Sequence, residues 1–113
     1  MHRTLITRGW LFVFALISAT GIASAQDAKK GEAVYAAQKC SVCHSIAGKG
    51  GKSSPLDGVG AKLSAGDLKQ WIVDPVAMTA KSASTKKPAM PKKFDKLPPA
   101  DIDALVAYML SLK

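Results

Sequence analysis

After Pro98-Pro99 the apolar residues Ile102, Leu105, Val106, Met109 and Leu112 recur at the three- and four-residue spacing of one helix face. Asp101 and Asp103 fall in the first turn of that segment and Lys113 at its end, the charge order that suits a helix dipole. A looser stripe of Ala33, Val34, Tyr35 and Ala37, free of proline from Ala28 to Lys39, predicts an earlier helix with Asp27 as its N-cap. Between them, Ser64 or Asp67 can open a short helix through Leu68, Trp71 and Ile72, with Pro75 ending it or lying just beyond. The glycine-rich stretch from Ile46 to Gly60 reads as loop, as does the Lys-, Pro- and Ser-rich stretch from Thr79 to Pro99. No segment alternates apolar and polar residues with a period of two, and there is no internal repeat. The expected fold class is all-α.

The chain of 113 residues has room for one domain, and its beginning has a different pattern. Arg3 and Arg8 precede the unbroken apolar run Trp10 to Ile17, and small residues then close on Ala23-Ser24-Ala25. That order is the layout of a secretory signal peptide, so residues 1–25 are expected to be removed and residues 26–113 to form the domain. An uncleaved anchor is the alternative, but Gly9 to Ala25 only reaches the short limit of roughly 17–25 residues for crossing a bilayer. Without the leader no stable membrane insertion is expected. The remaining domain carries fourteen lysines against eight acids, a formal +6 with no arginine. Such a surface favours acidic partners. Export makes nucleic acid the poorest candidate among them.

Cys40-Ser41-Val42-Cys43-His44 is C-x-x-C-H, the attachment signature of haem c. Two thiols at this spacing can add to the two vinyl groups of one haem, and the adjacent histidine can then ligate the iron. Three other uses of the motif can be weighed. Structural zinc needs about four N or S ligands, and the domain holds two cysteines and one histidine. A thioredoxin-like thiol pair needs a neighbouring βαβ pattern, which is missing. A plain disulfide explains neither His44 nor the long lysine- and proline-rich segment. For a second iron ligand the domain offers Met78, Met90 and Met109. Met109 falls on the apolar side of the last helix, the ordinary place for a core methionine. Met90 stands between Pro88-Ala89 and Pro91, where prolines limit the backbone freedom lost when one side chain is fixed. Met90 is the preferred ligand and Met78 the reserve.

These residues resemble the class I monohaem cytochrome c family, from Gly31 to Leu112. Gly31 and Tyr35 match the family's Gly-x-x-x-aromatic, Leu105 and Tyr108 its Leu-x-x-Tyr, and Met90-Pro91 its Met-Pro ligand motif. The resemblance implies a small cytochrome c-like fold in which the N- and C-terminal helices cross at Gly31 around one covalent haem c. It implies a place for Trp71 near the haem propionates. It also implies that a proline carbonyl accepts a hydrogen bond from His44. Here Ser54-Pro55-Leu56 stands where the family has Gly-Pro-x-Leu, and Pro55 is the expected acceptor.

The function expected is single-electron transfer through a His44/Met90-ligated haem, without catalytic residues. By analogy with the resembled family, the compartment is the bacterial periplasm. Lys81, Lys86, Lys87, Lys92, Lys93 and Lys96 crowd the segment around Met90, where they can steer acidic redox proteins, periplasmic or membrane-bound. The protein is expected to be a monomer. The alternative is a haem c subunit held permanently in a larger periplasmic oxidoreductase.

Overall fold

The computed structural model describes residues 20–113, with side chains from residue 25 onward. The charged start and apolar run of the expected leader, residues 1–19, lie outside the described residues. Five helices follow in order: α1 (Thr20–Ala37), α2 (Val59–Lys62), α3 (Ala65–Val73), α4 (Pro75–Ser82) and α5 (Pro99–Ser111). A 3-10 turn occupies Cys40–Val42 and another Phe94–Lys96. The all-α expectation holds.

The main contact is the crossing of α1 and α5, and its geometry follows from one missing side chain. An atom at the Cβ position of Gly31 would overlap the Ala104 carbonyl oxygen and stand 2.7 Å from Tyr108 Cβ. Only glycine allows the two backbones to approach this closely. Beside the crossing, Tyr35 meets Tyr108 edge to face with centroids 5.6 Å apart, an arrangement favoured by the ring quadrupoles. Lys30 Nζ reaches Asp101 Oδ1 at 3.2 Å, an exposed pair of small energetic weight. The buried cluster is built from Tyr35, Leu68, Ile72, Phe94, Ile102, Leu105, Val106 and Met109. Its α5 members are the stripe read from the sequence. Leu112 is the C-cap of α5, and its carbonyl accepts from Gly60 N at 2.8 Å, tying the end of the chain to α2.

Several element boundaries differ from the sequence reading. Asp27 is not an N-cap, because α1 already begins at Thr20 and runs through it. The stretch from Thr20 to Asp27 contains no proline to stop a helix. Of the two caps offered for α3, the protein uses Ser64, whose Oγ accepts from Asp67 N at 3.1 Å. Pro75 lies just beyond α3, as its sequence position predicts, and it also opens α4, a first-turn position that suits its fixed φ and missing N–H. Asp74 caps that helix by accepting from Ala77 N, so the segment read as loop from Thr79 is helical as far as Ser82. The glycine-rich segment is not all loop either. Ser45–Ile46 pairs antiparallel with Lys49–Gly50 through a tight turn, and α2 begins at Val59. Strands of two residues are too short to show alternation.

Candidate functional site

The C-x-x-C-H motif follows α1 directly. Lys39 turns left-handed at φ 57° and ends the helical path, and Cys40 begins a 3-10 turn closed by Cys43 N and His44 N, both donating to the Cys40 carbonyl. This turn brings the two cysteines and the histidine to one wall of a cleft. The small hairpin supports the motif from behind: Gly51 N donates to the Ser41 carbonyl at 2.7 Å, and Ser53 Oγ donates to the Cys43 carbonyl at 3.0 Å. A Cβ on Gly51 would overlap the Val42 carbonyl oxygen, so glycine is required for the hairpin to lie this near.

His44 is held at both ends. Its Nδ1 lies 2.8 Å from the Ser54 carbonyl oxygen. A carbonyl can only accept, so Nδ1 carries the proton and Nε2 keeps its lone pair free to bind a metal. At the main chain, the Tyr35 hydroxyl donates to the His44 carbonyl at 3.3 Å. Burial, helped by the nearby Cys40 and Tyr108 charges, pushes the Tyr35 hydroxyl up to about 12, so it remains a donor throughout the neutral range. Burial also raises the Cys40 thiol, against a backbone hydrogen bond and the Lys93 ammonium, which lower it.

The acceptor for His44 is therefore Ser54, not Pro55. The reason is register: Ser54 stands two residues before Leu56, as the proline does in Gly-Pro-x-Leu. The hydrogen bond belongs to a main-chain position and is indifferent to which side chain occupies it. Counting back from Leu56 would have found it.

The cleft measures about 760 Å³, within the roughly 300–1,000 Å³ typical of sites for cofactors and small molecules. Cys40, Cys43 and His44 line one side. Met90 lines it from the segment between α4 and the second 3-10 turn, and Trp71, Leu68 and Ile72 line it from α3. Met109 also lines the cleft, but it is buried in the core cluster. Met78 does not line it: it is buried within α4. Thr79, Ser82 and Ser84, which the sequence did not single out, also reach the wall.

A haem fits this arrangement on two observations. Cys40 and Cys43 are free thiols with no disulfide between them. The walls are mainly apolar, and a histidine with a free Nε2 shares the cleft with a half-buried methionine. Among the described residues, no group of three or more His, Cys, Asp or Glu is placed to hold a bare metal ion. Among the same residues, no helix is long and apolar enough to cross a membrane. A family model described as cytochrome c matches residues 28–113. No curated protein and no solved structure matches the chain.

Proposed function

Since the chain belongs to the cytochrome c family, whose role is haem-based electron transfer, we propose that it is a periplasmic carrier of single electrons with one haem c. Cys40 and Cys43 would hold the haem through thioether bonds, and His44 and Met90 would ligate its iron. The observation that carries this reading is the meeting of Cys40, Cys43, His44 and Met90 on one apolar cleft, from which Met78 is excluded. When bound, such a haem supplies a one-electron couple, and His/Met ligation sets it to a comparatively high potential.

The residues of the chain prepare that chemistry. The Ser54 carbonyl fixes the His44 tautomer and ring direction. With a haem seated, the mainly apolar walls would leave little room for water beside it, which limits solvent rearrangement when charge moves. Lys81, Lys86, Lys87, Lys92, Lys93 and Lys96 are all exposed, and rim lysines of this kind raise encounter rates with acidic partners. In this reading residues 1–25 direct export and are then removed, and the domain works as a monomeric shuttle.

The test is an optical spectrum of protein produced in cells able to mature haem c. Sharp reduced bands that survive acid–acetone extraction are expected. Colourless, correctly processed protein would refute the proposal. Co-purification of a large subunit at fixed stoichiometry would replace the free shuttle with a bound subunit.

A further inference from the structure

A phenylalanine at position 35 would fill the same space beside Tyr108, so packing alone does not account for the hydroxyl. We propose that Tyr35 is a positioning residue for His44, its hydroxyl transmitting the α1–α5 crossing to the main chain of the histidine. The inference rests on His44 being the iron ligand, as in the function proposed above.

The chain of contacts starts at Gly31. Its missing Cβ lets α5 press against α1, and Tyr35, one helical turn later, has its ring trapped against Tyr108 at an interplanar angle of 70°. A tyrosine has few rotatable bonds, and Tyr35 as a whole is only 9% exposed. Once the ring is held, the position of the hydroxyl is set. That hydroxyl donates to the carbonyl of His44 across nine positions of sequence.

Besides the main-chain bond from its N–H to the Cys40 carbonyl at 3.0 Å, His44 makes two bonds that involve a side chain, and these do different things. The Ser54 carbonyl, at 2.8 Å from Nδ1, fixes the direction of the ring. It does not hold the peptide from which the ring projects. That peptide lies between the 3-10 turn and the first strand, outside any regular element. Tyr35 supplies a side-chain anchor there. The histidine is thus clamped at ring and backbone, and the backbone clamp is referred to the best-packed contact of the domain.

The experiment uses haem-loaded protein in the reduced, diamagnetic state, uniformly labelled with ¹⁵N. NMR measures solvent exchange of the His44 Nδ1 proton together with the amides of Leu105 and Val106, which report global opening. In Tyr35→Phe the Nδ1 proton should exchange faster by about two- to five-fold beyond any change in the core amides, the share a long neutral hydrogen bond contributes. Tyr108→Phe, which removes a hydroxyl from the same crossing but none from His44, should leave that ratio unchanged. Equal acceleration of Nδ1 and core protons in Tyr35→Phe would reduce Tyr35 to a packing residue and overturn the proposal. If that variant fails to accumulate, the Tyr35 hydroxyl proton of the wild type decides: a protected resonance supports the clamp, and free exchange with water overturns it. Protein without haem would sink the electron-carrier reading and this inference together, whereas coloured protein with an unchanged ratio sinks this one alone.

Discussion

Replacing Gly31 by alanine should loosen the domain at its tightest point. The new Cβ would stand 2.6 Å from the Ala104 carbonyl carbon and 2.7 Å from Tyr108 Cβ, where real Cβ contacts are essentially never under 3.0 Å. Both obstacles are backbone or a Cβ, so no change of rotamer relieves them and α1 must move away from α5. Overpacking of this kind costs about 1–3 kcal/mol, occasionally more. Backbone meeting Cβ belongs at or beyond the upper end. Alanine returns roughly 1 kcal/mol through its better helix propensity, leaving a net loss of about 2 kcal/mol. In a domain this small each kcal/mol moves the melting temperature by roughly 4–8 °C, so Gly31→Ala should melt about 8–16 °C lower. Gly66→Ala provides the control, because the same chemical change in α3 meets nothing nearer than Ser64 Oγ at 3.9 Å. It should raise stability by about 0.5–1 kcal/mol. Thermal unfolding of the haem-loaded proteins, followed by far-UV circular dichroism, reads both. A Gly31→Ala protein that melts at or above the wild type would show that the helices do not depend on this approach.

Four further outcomes are expected. Met90→Ala should abolish the sulfur–iron charge-transfer band of the oxidised protein, while Met78→Ala keeps it; the opposite pattern would assign the ligand to α4. Ser64→Ala removes the α3 cap and should lower stability in chemical denaturation by about 1 kcal/mol, and no change would mean that the Oγ bond is idle. The Tyr35 proton is held up to about 12 in the folded protein against an ordinary 10.0. Over that interval the unfolded chain binds fewer protons than the native one, so stability falls as pH rises from 10 toward 12. Tyr35→Phe should show a shallower fall in denaturant titrations across the same range. Electron transfer to an acidic partner should slow as ionic strength rises, and stopped-flow rates indifferent to salt would remove the lysines from docking.

Legibility from sequence followed the range of each signal. The stripe of α5 and the glycine of the crossing could be read because a helix face and a close approach each leave a local mark. The C-x-x-C-H turn is local as well. Met90 is 46 positions beyond His44, and only the fold shows that it reaches the cysteine cleft while Met78 turns into α4. Helix α4 was missed because a proline carries two meanings, stopping one helix and opening the next. Here Asp74 is at once the C-cap of α3 and the N-cap of α4. The Ser54 acceptor was missed for a related reason: a main-chain hydrogen bond follows register, and the proline that usually marks that register sits one place later.

The crossing also sets an order of events in time. Gly31 is near the start of the domain and Ala104 near its end, so α1 lacks its main helix partner until almost the whole domain is available. Joining ends separated by on the order of 70 residues costs roughly 4 kcal/mol in loop entropy, and contacts so distant form slowly. Until then the cysteine pair stays exposed on an open strand of polypeptide, within reach of whatever machinery attaches the pigment. The final dozen residues act as a late-arriving bolt, and truncating them should leave the molecule permanently ajar.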